Sequence, residues 1–245
     1  MRKSLFVAAL PFLLSGCDFL STVASTAGSF IPSESEVASG LKKALVKGVS
    51  KGTGLLNVKD AFLGDAVRKI LLPPEVRNVE SKIRSSALLN ALIGGTLDEC
   101  VTAMNRGAEN AMGKAMPIFK SAVMGMSITD AMGILKGGNG SATNYLEKTT
   151  TSSLMSAFKP EIQKALDAVK VMDYWKPIVT NVNKYKGLLG LDKDINTDLN
   201  QYVTEKATTA LFSEIRTQEN AIRENPVERT TALLKKVFDY ADTTK

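Results

Sequence analysis

Two cysteines and no histidine in 245 residues narrow the chemistry open to this chain. Without imidazole there is no Ser-His-Asp or Cys-His machinery, no histidine metal site, and no side chain that titrates unperturbed near neutral pH. Carboxylate or lysine acid-base chemistry stays open, and Glu109 and Asp130 are the carboxylates to consider for it. Thioethers at Met104, Met112, Met116, Met124, Met126 and Met132 are soft enough to ligate Cu(I). Most of them continue a helical apolar period, so they read as core or as a plastic apolar groove. "GAENAMGKA" (107–115) echoes a phosphate loop but has five residues between its glycines and ends in alanine. The loop "GGNGS" (137–141) precedes a helix start, where free N–H groups can hold an anion; a plain turn is the simpler reading. No cofactor is expected.

The first cysteine has a different chemistry. Arg2 and Lys3 open the chain, and residues 4–14 are apolar apart from Ser4, too short to cross a ~30 Å hydrocarbon core. A charged start, a short apolar middle and small residues before a cut describe a secretory signal peptide over 1–16. Leu14, Ser15, Gly16 and Cys17 resemble the bacterial lipobox. That resemblance implies a diacylglyceryl group on the Cys17 sulfur and cleavage just before it. Two or three acyl chains anchor stably where one does not, at ~0.8 kcal/mol per buried methylene. The expected address is the bacterial cell envelope, facing the periplasm. Asp18 resembles an inner-membrane retention signal and tilts the choice towards that membrane over the outer one.

Loss of the leader removes Arg2 and Lys3, so a net charge of +6 becomes +4, with 29 basic against 25 acidic residues. That mild, diffuse basicity is no nucleic-acid signature. With Cys17 lipidated, Cys100 has no intramolecular disulfide partner and is safest buried.

These residues need elements to position them. Residues 17–32, rich in Ser, Thr, Ala and Gly, read as a lipidated start and flexible tether, and 33–240 as one all-α domain. Ser33 and Glu36 can form a capping box, with Val37, Leu41, Ala44 and Gly48 facing inward. Lys43, Lys47 and Lys51 recur every four residues and read as a solvated face, with anionic lipid as the sharper alternative. "RKILLPP" (68–74) should be extended, because proline disfavours helix in the residue before it. A short helix is expected over 75–89, with Gly94 and Gly95 ending that region. Thr96 should then cap a long helix, kinked at Pro117. Ser127 and Asp130 suggest a second capping box, opening a helix that stops at Gly137. Helices are expected over 142–158, 160–171, 173–188 and 198–224. Pro226 should start a last one whose Val227, Thr230, Leu234, Val237 and Phe238 face inward.

Four stretches carry a family resemblance: "MNRGAENA" (104–111), "ITDAMGILKGGNGSATNYL" (128–146), "YVTEKA" (202–207) and "AIRENPVERTTALLKKVF" (221–238). They resemble the bacterial domain-of-unknown-function 4197 family, over about residues 41–238. Gln218 and the tail after Phe238 depart from its usual pattern. The resemblance implies an exported single domain and brings no activity. Its polar positions, Arg106, Glu109, Asp130, Tyr145, Arg223, Asn225 and Arg229, form a signature read as mainly structural. Arg223, Asn225 and Arg229 should brace a helix–Pro–helix corner. The function expected is a non-catalytic binding module held at the membrane by its N-terminal lipid, taking an envelope protein or an apolar ligand. The alternative is an envelope enzyme using carboxylates.

Overall fold

The first helix starts where the sequence supplies its cap. Ser33 Oγ accepts from the Glu36 N–H at 3.2 Å, and the Ser33 N–H donates to Glu36 Oε2 at 2.9 Å. This computed structural model describes residues 33–243 except 185, 190–193, 195–197 and 230. Leu14, Ser15, Gly16, Cys17 and the expected tether lie outside the described residues, as does Thr230. Helix α1 (Glu34–Leu56) buries Val37, Leu41, Ala44 and Gly48 as expected, and also Leu45, Val49, Gly52 and Leu56.

Residues 57–73 then wind without a regular helix to α2 (Pro74–Ser85). Gly94 and Gly95 do not end this region. The chain continues through a helical turn (Ala87–Leu89) and a π turn (Asn90–Gly94) into α3 (Gly95–Met112). Gly94 already has helical angles, φ −59° and ψ −43°, and α3 has no side-chain cap, so Thr96 does not take that role. The long helix expected to kink at Pro117 breaks earlier, at Gly113 and Lys114, before α4 (Ala115–Met124). Pro117 thus falls in the first turn of α4, where a missing N–H removes no intrahelical bond.

The second capping box forms. Asp130 N–H donates to Ser127 Oγ at 3.0 Å and Ser127 N–H to Asp130 Oδ2 at 3.1 Å, opening α5 (Ile128–Lys136). Gly138 and Gly140, at φ +77° and +79°, turn the chain into α6 (Ser141–Ala168). Two helices were expected across Pro160; there is one. Leu154, Phe158, Ile162 and Leu166 are all fully buried along it. At roughly 1.5–3 kcal/mol each, their burial outweighs a mid-helix proline cost of about 3 kcal/mol. Helix α7 (Val171–Lys184) and a short turn (Lys186–Leu189) follow.

Helix α8 (Leu199–Glu224) is capped by Asp198, whose side chain accepts from the Gln201 N–H at 2.8 Å. Pro226 opens a 3-10 turn (Pro226–Glu228), not the last helix, which is α9 (Ala232–Thr243). Val227 is consequently 80% exposed, while Val237 and Phe238 are buried.

Among the described residues there is no strand, and the domain is all-α. Helix α6 lies between α3 and α8, while α1 packs on α8, α4 and α5 and carries α9. Gly107 lets α3 approach α6 closely: a Cβ there would stand 3.2 Å from the Ile162 Cα of α6. Phe119 of α4 meets Phe212 of α8 edge-on, with ring centroids 5.9 Å apart. Met104, Met112 and Met126 are buried in this core, and Met124 is exposed. Among the described residues no single helix is long and apolar enough to cross a membrane.

Candidate functional site

The polar signature separates into distinct constellations. On α3, Asn105 clamps the segment between α1 and α2, which is a turn at Arg68 and not extended throughout: its Oδ1 accepts from Ile70 N–H at 2.8 Å and its Nδ2 donates to the Ile70 carbonyl at 2.9 Å. One turn on, Glu109 Oε1 accepts from the N–H groups of Phe62 and Leu63 at 3.1 and 3.3 Å. Arg106 donates to Glu109 Oε2 at 2.6 Å and to Asp60 Oδ1 at 2.7 Å. The segment between α1 and α2 lacks a backbone ladder, so side chains of α3 satisfy several of its N–H and C=O groups.

The second constellation lies at the C-terminal corner. Glu219 of α8 reaches the start of α6, accepting from the N–H groups of Ala142 and Thr143 at 2.9 and 2.8 Å and from Thr143 Oγ1 at 2.7 Å. The N–H groups after the "GGNGS" turn, read more simply as a plain turn, do hold an anion, and it is the protein's own carboxylate on the positive end of a 28-residue helix. Arg223 donates to Glu219 at 2.9 Å and to the Ile134 and Leu135 carbonyls ending α5 at 2.9 and 3.3 Å. Arg229, 3% exposed, donates to the Ile222 and Arg223 carbonyls at 3.2 and 2.8 Å and to Asp239 at 3.0 Å. Both guanidinium groups lie against the Phe238 ring, 5.9 and 5.3 Å from its centroid. Asn225 caps the 3-10 turn, its Oδ1 accepting from Val227 N–H at 3.1 Å.

Asp130 belongs to the α5 capping box, and bonds from Ser127 hold its carboxyl below the usual range. Tyr145, half-buried on α6, has its phenol pushed up by burial and by the Asp130 charge. Among the described residues no group of three Cys, Asp or Glu side chains could hold a metal ion.

Neither Glu109 nor Asp130 lines a small cavity or either of two grooves formed by the described residues. The cavity is small, about 20 Å³, and lies between α1 and α8 beside Phe238. The first groove is open and about 600 Å³. One wall is the segment from Asp65 to Leu72 with Pro74 and Arg77; the other is the Tyr202, Lys206, Ala210 and Glu214 face of α8. Tyr202 bridges the walls, its hydroxyl donating to the Leu71 carbonyl at 3.1 Å. Arg68 is held by Asp65 at 2.7 Å and Glu214 at 3.3 Å, and Lys206 sits 5.7 Å from the Tyr202 ring centroid. Val67 and Leu71 are 94% and 45% exposed there, beside Lys69, Arg77 and Lys206. The second groove, about 530 Å³, runs between α1 and α4.

Sequence reasoning did not find the first groove. Tyr202 and Lys206 stand in "YVTEKA", but helical period alone places Tyr202 with the core and says nothing of the segment opposite. The family model described as a protein of unknown function, DUF4197, matches residues 32–239. No curated protein and no solved structure matches the chain.

Proposed function

We propose that this chain, which belongs to the DUF4197 family, is a lipid-anchored cell-envelope protein whose helical domain is a non-catalytic binding module. The observation that carries the binding role is the first groove, where Val67 and Leu71 stand exposed beside Lys69, Arg77 and Lys206. Apolar side chains next to cations suit an envelope protein segment that offers an apolar residue flanked by carboxylates. The carboxylates considered for catalysis are spent on structure, since Glu109 takes bonds from Arg106 and two backbone N–H groups and Asp130 closes a cap.

A photo-crosslinking residue placed at Leu71 in cells, with Leu88 as an exposed control, tests the groove. The reading expects a discrete adduct at Leu71 that disappears when Lys206→Glu is added. Equal adducts at both positions, or an adduct indifferent to Lys206, would refute it. The anchor is tested separately. Cys17→Ala should leave the precursor uncut and without lipid by intact mass, and a mature-mass mutant that still partitions into detergent would rule the anchor out.

A further inference from the structure

The second groove has a composition of its own. Ser35, Ala38, Ser39, Lys42, Lys43 and Val46 of α1 form one wall, facing Lys120 and Met124 of α4 and Ile128 of α5. Three lysines and no acid line it. Met124 and Ile128 are 62% and 46% exposed, so two large apolar side chains stand at its rim. Lys42 Nζ donates to the Met124 carbonyl at 3.1 Å, fixing a cation at the negative end of α4. Lys43 and Lys120 are exposed and make no ion pair among the described residues. Of the nearby acids, Glu36 sits in the Ser33 cap 3.8 Å from Lys236 and Asp130 in the Ser127 cap, while Glu34, beside Ser35, is exposed at the start of α1 and does not line the groove. The lysine stripe read from sequence is thereby divided: Lys51 pairs with Glu228 at 3.3 Å, and Lys43 belongs to this groove.

We propose that this face lies on the surface of an anionic bilayer, with Met124 and Ile128 in the headgroup layer and Lys42, Lys43 and Lys120 over its charges. Charge complementarity is the first argument, because exposed apolar side chains ringed by lysine are what an interfacial surface presents. Position is the second. The groove begins at Ser35, two residues after the α1 cap, and only fifteen residues separate Ser33 from Cys17. Taken as the flexible tether its composition implies, that length spans about 20 Å, so an anchored Cys17 would hold this end of the domain close to lipid. The position argument rests on the anchor proposed above; the charge argument does not.

The test uses the mature protein reconstituted on vesicles of phosphatidylcholine alone or mixed with phosphatidylglycerol. Amine acylation is followed by mass spectrometry at Lys43 and Lys120, with Lys164 of α6, whose side chain is 73% exposed, as control. Acylation at Lys43 and Lys120 should slow about fivefold on anionic vesicles, recover at high salt, and stay fast on neutral ones. Lys164 should not change. The doubly exposed variant Lys43→Glu, Lys120→Glu should lose anionic-vesicle dependence at Lys42. Equal acylation on both vesicle types overturns the proposal, and so does equal protection on both, which would place the chain's own N-terminus or a second copy of the chain on the face. Co-flotation with neutral vesicles reads the anchor alone, so a failed anchor and a failed face give different results.

Discussion

Arg229 is buried at 3% exposure with two of its donors on the carbonyls that end α8. Its pair with Asp239, a side chain 68% exposed, adds little because water screens it. Arg229→Ala strands those carbonyls and uncovers Phe238, at a cost of about 3 kcal/mol, whereas Asn225→Ala removes one cap bond worth about 1 kcal/mol. Urea denaturation of both variants should rank them in that order, and an unchanged Arg229→Ala midpoint would deny the corner its structural role. Cys100 makes a second prediction. Burial, reinforced by the Glu80 charge, pushes its thiol up to about 12. Since the thiolate is the nucleophile, Cys100 should resist a maleimide at pH 8 in the native protein and react at once in denaturant. Rapid native labelling would mean that α3 opens easily.

Elements were legible where a short-range signal sets their ends. Ser33 with Glu36 and Ser127 with Asp130 form the boxes their spacing implies. The failures share a physical cause: Gly94, Pro160 and Pro226 are local breakers whose effect depends on what packs around them. At Pro160 tertiary burial overrides the local rule, so Pro160→Ala should restore a backbone bond without disturbing Leu154, Phe158 or Ile162. A gain of about 1–2 kcal/mol is expected, the helix penalty of proline less its restriction of the unfolded chain. Loss of stability in urea would show that the helix is built around that proline. The capping boxes predict a pH dependence. Bonds from the Ser33 backbone and hydroxyl, then Lys236, lower Glu36; bonds from the Ser127 hydroxyl and backbone lower Asp130. A carboxyl depressed by folding stabilises in full above its unfolded value, 4.5 for Glu36 and 3.8 for Asp130, and loses that contribution as pH falls through the lower folded value. Asp130→Asn should therefore melt below the parent at pH 7 and converge with it in strong acid.

At the scale of the whole molecule, charges fall into two populations with different work. Glu109 and Glu219 are 4% and 7% exposed and tie separate elements together, whereas Lys69 and Lys206 border an open groove. The sequence announced only part of the first population: Arg106, Glu109, Arg223 and Arg229 stand in the stretches that resemble a family, whereas Glu219 lies outside them. It was silent on the second, because a groove between a segment at residues 65–77 and a helix at 202–214 is a long-range fact that no local period encodes. The same division makes a prediction. Glu109→Ala frees the Phe62 and Leu63 N–H groups and leaves Arg106 with Asp60 as its carboxylate partner, which costs about 2–4 kcal/mol. Lys69→Glu should stay within about 0.5 kcal/mol of the parent. Lys206→Glu should lose no more than about 1 kcal/mol with its contact to the Tyr202 ring. Urea midpoints and the Leu71 crosslink, measured on the same three variants, should therefore separate cleanly. Glu109→Ala should lower the midpoint most and keep its crosslink wherever it remains folded, while Lys69→Glu should keep the midpoint, Lys206→Glu should lower it only slightly, and both should lose the crosslink. A lysine variant that unfolds early would move the groove into the load path of the fold and remove the ground for treating it as a surface free to take a partner.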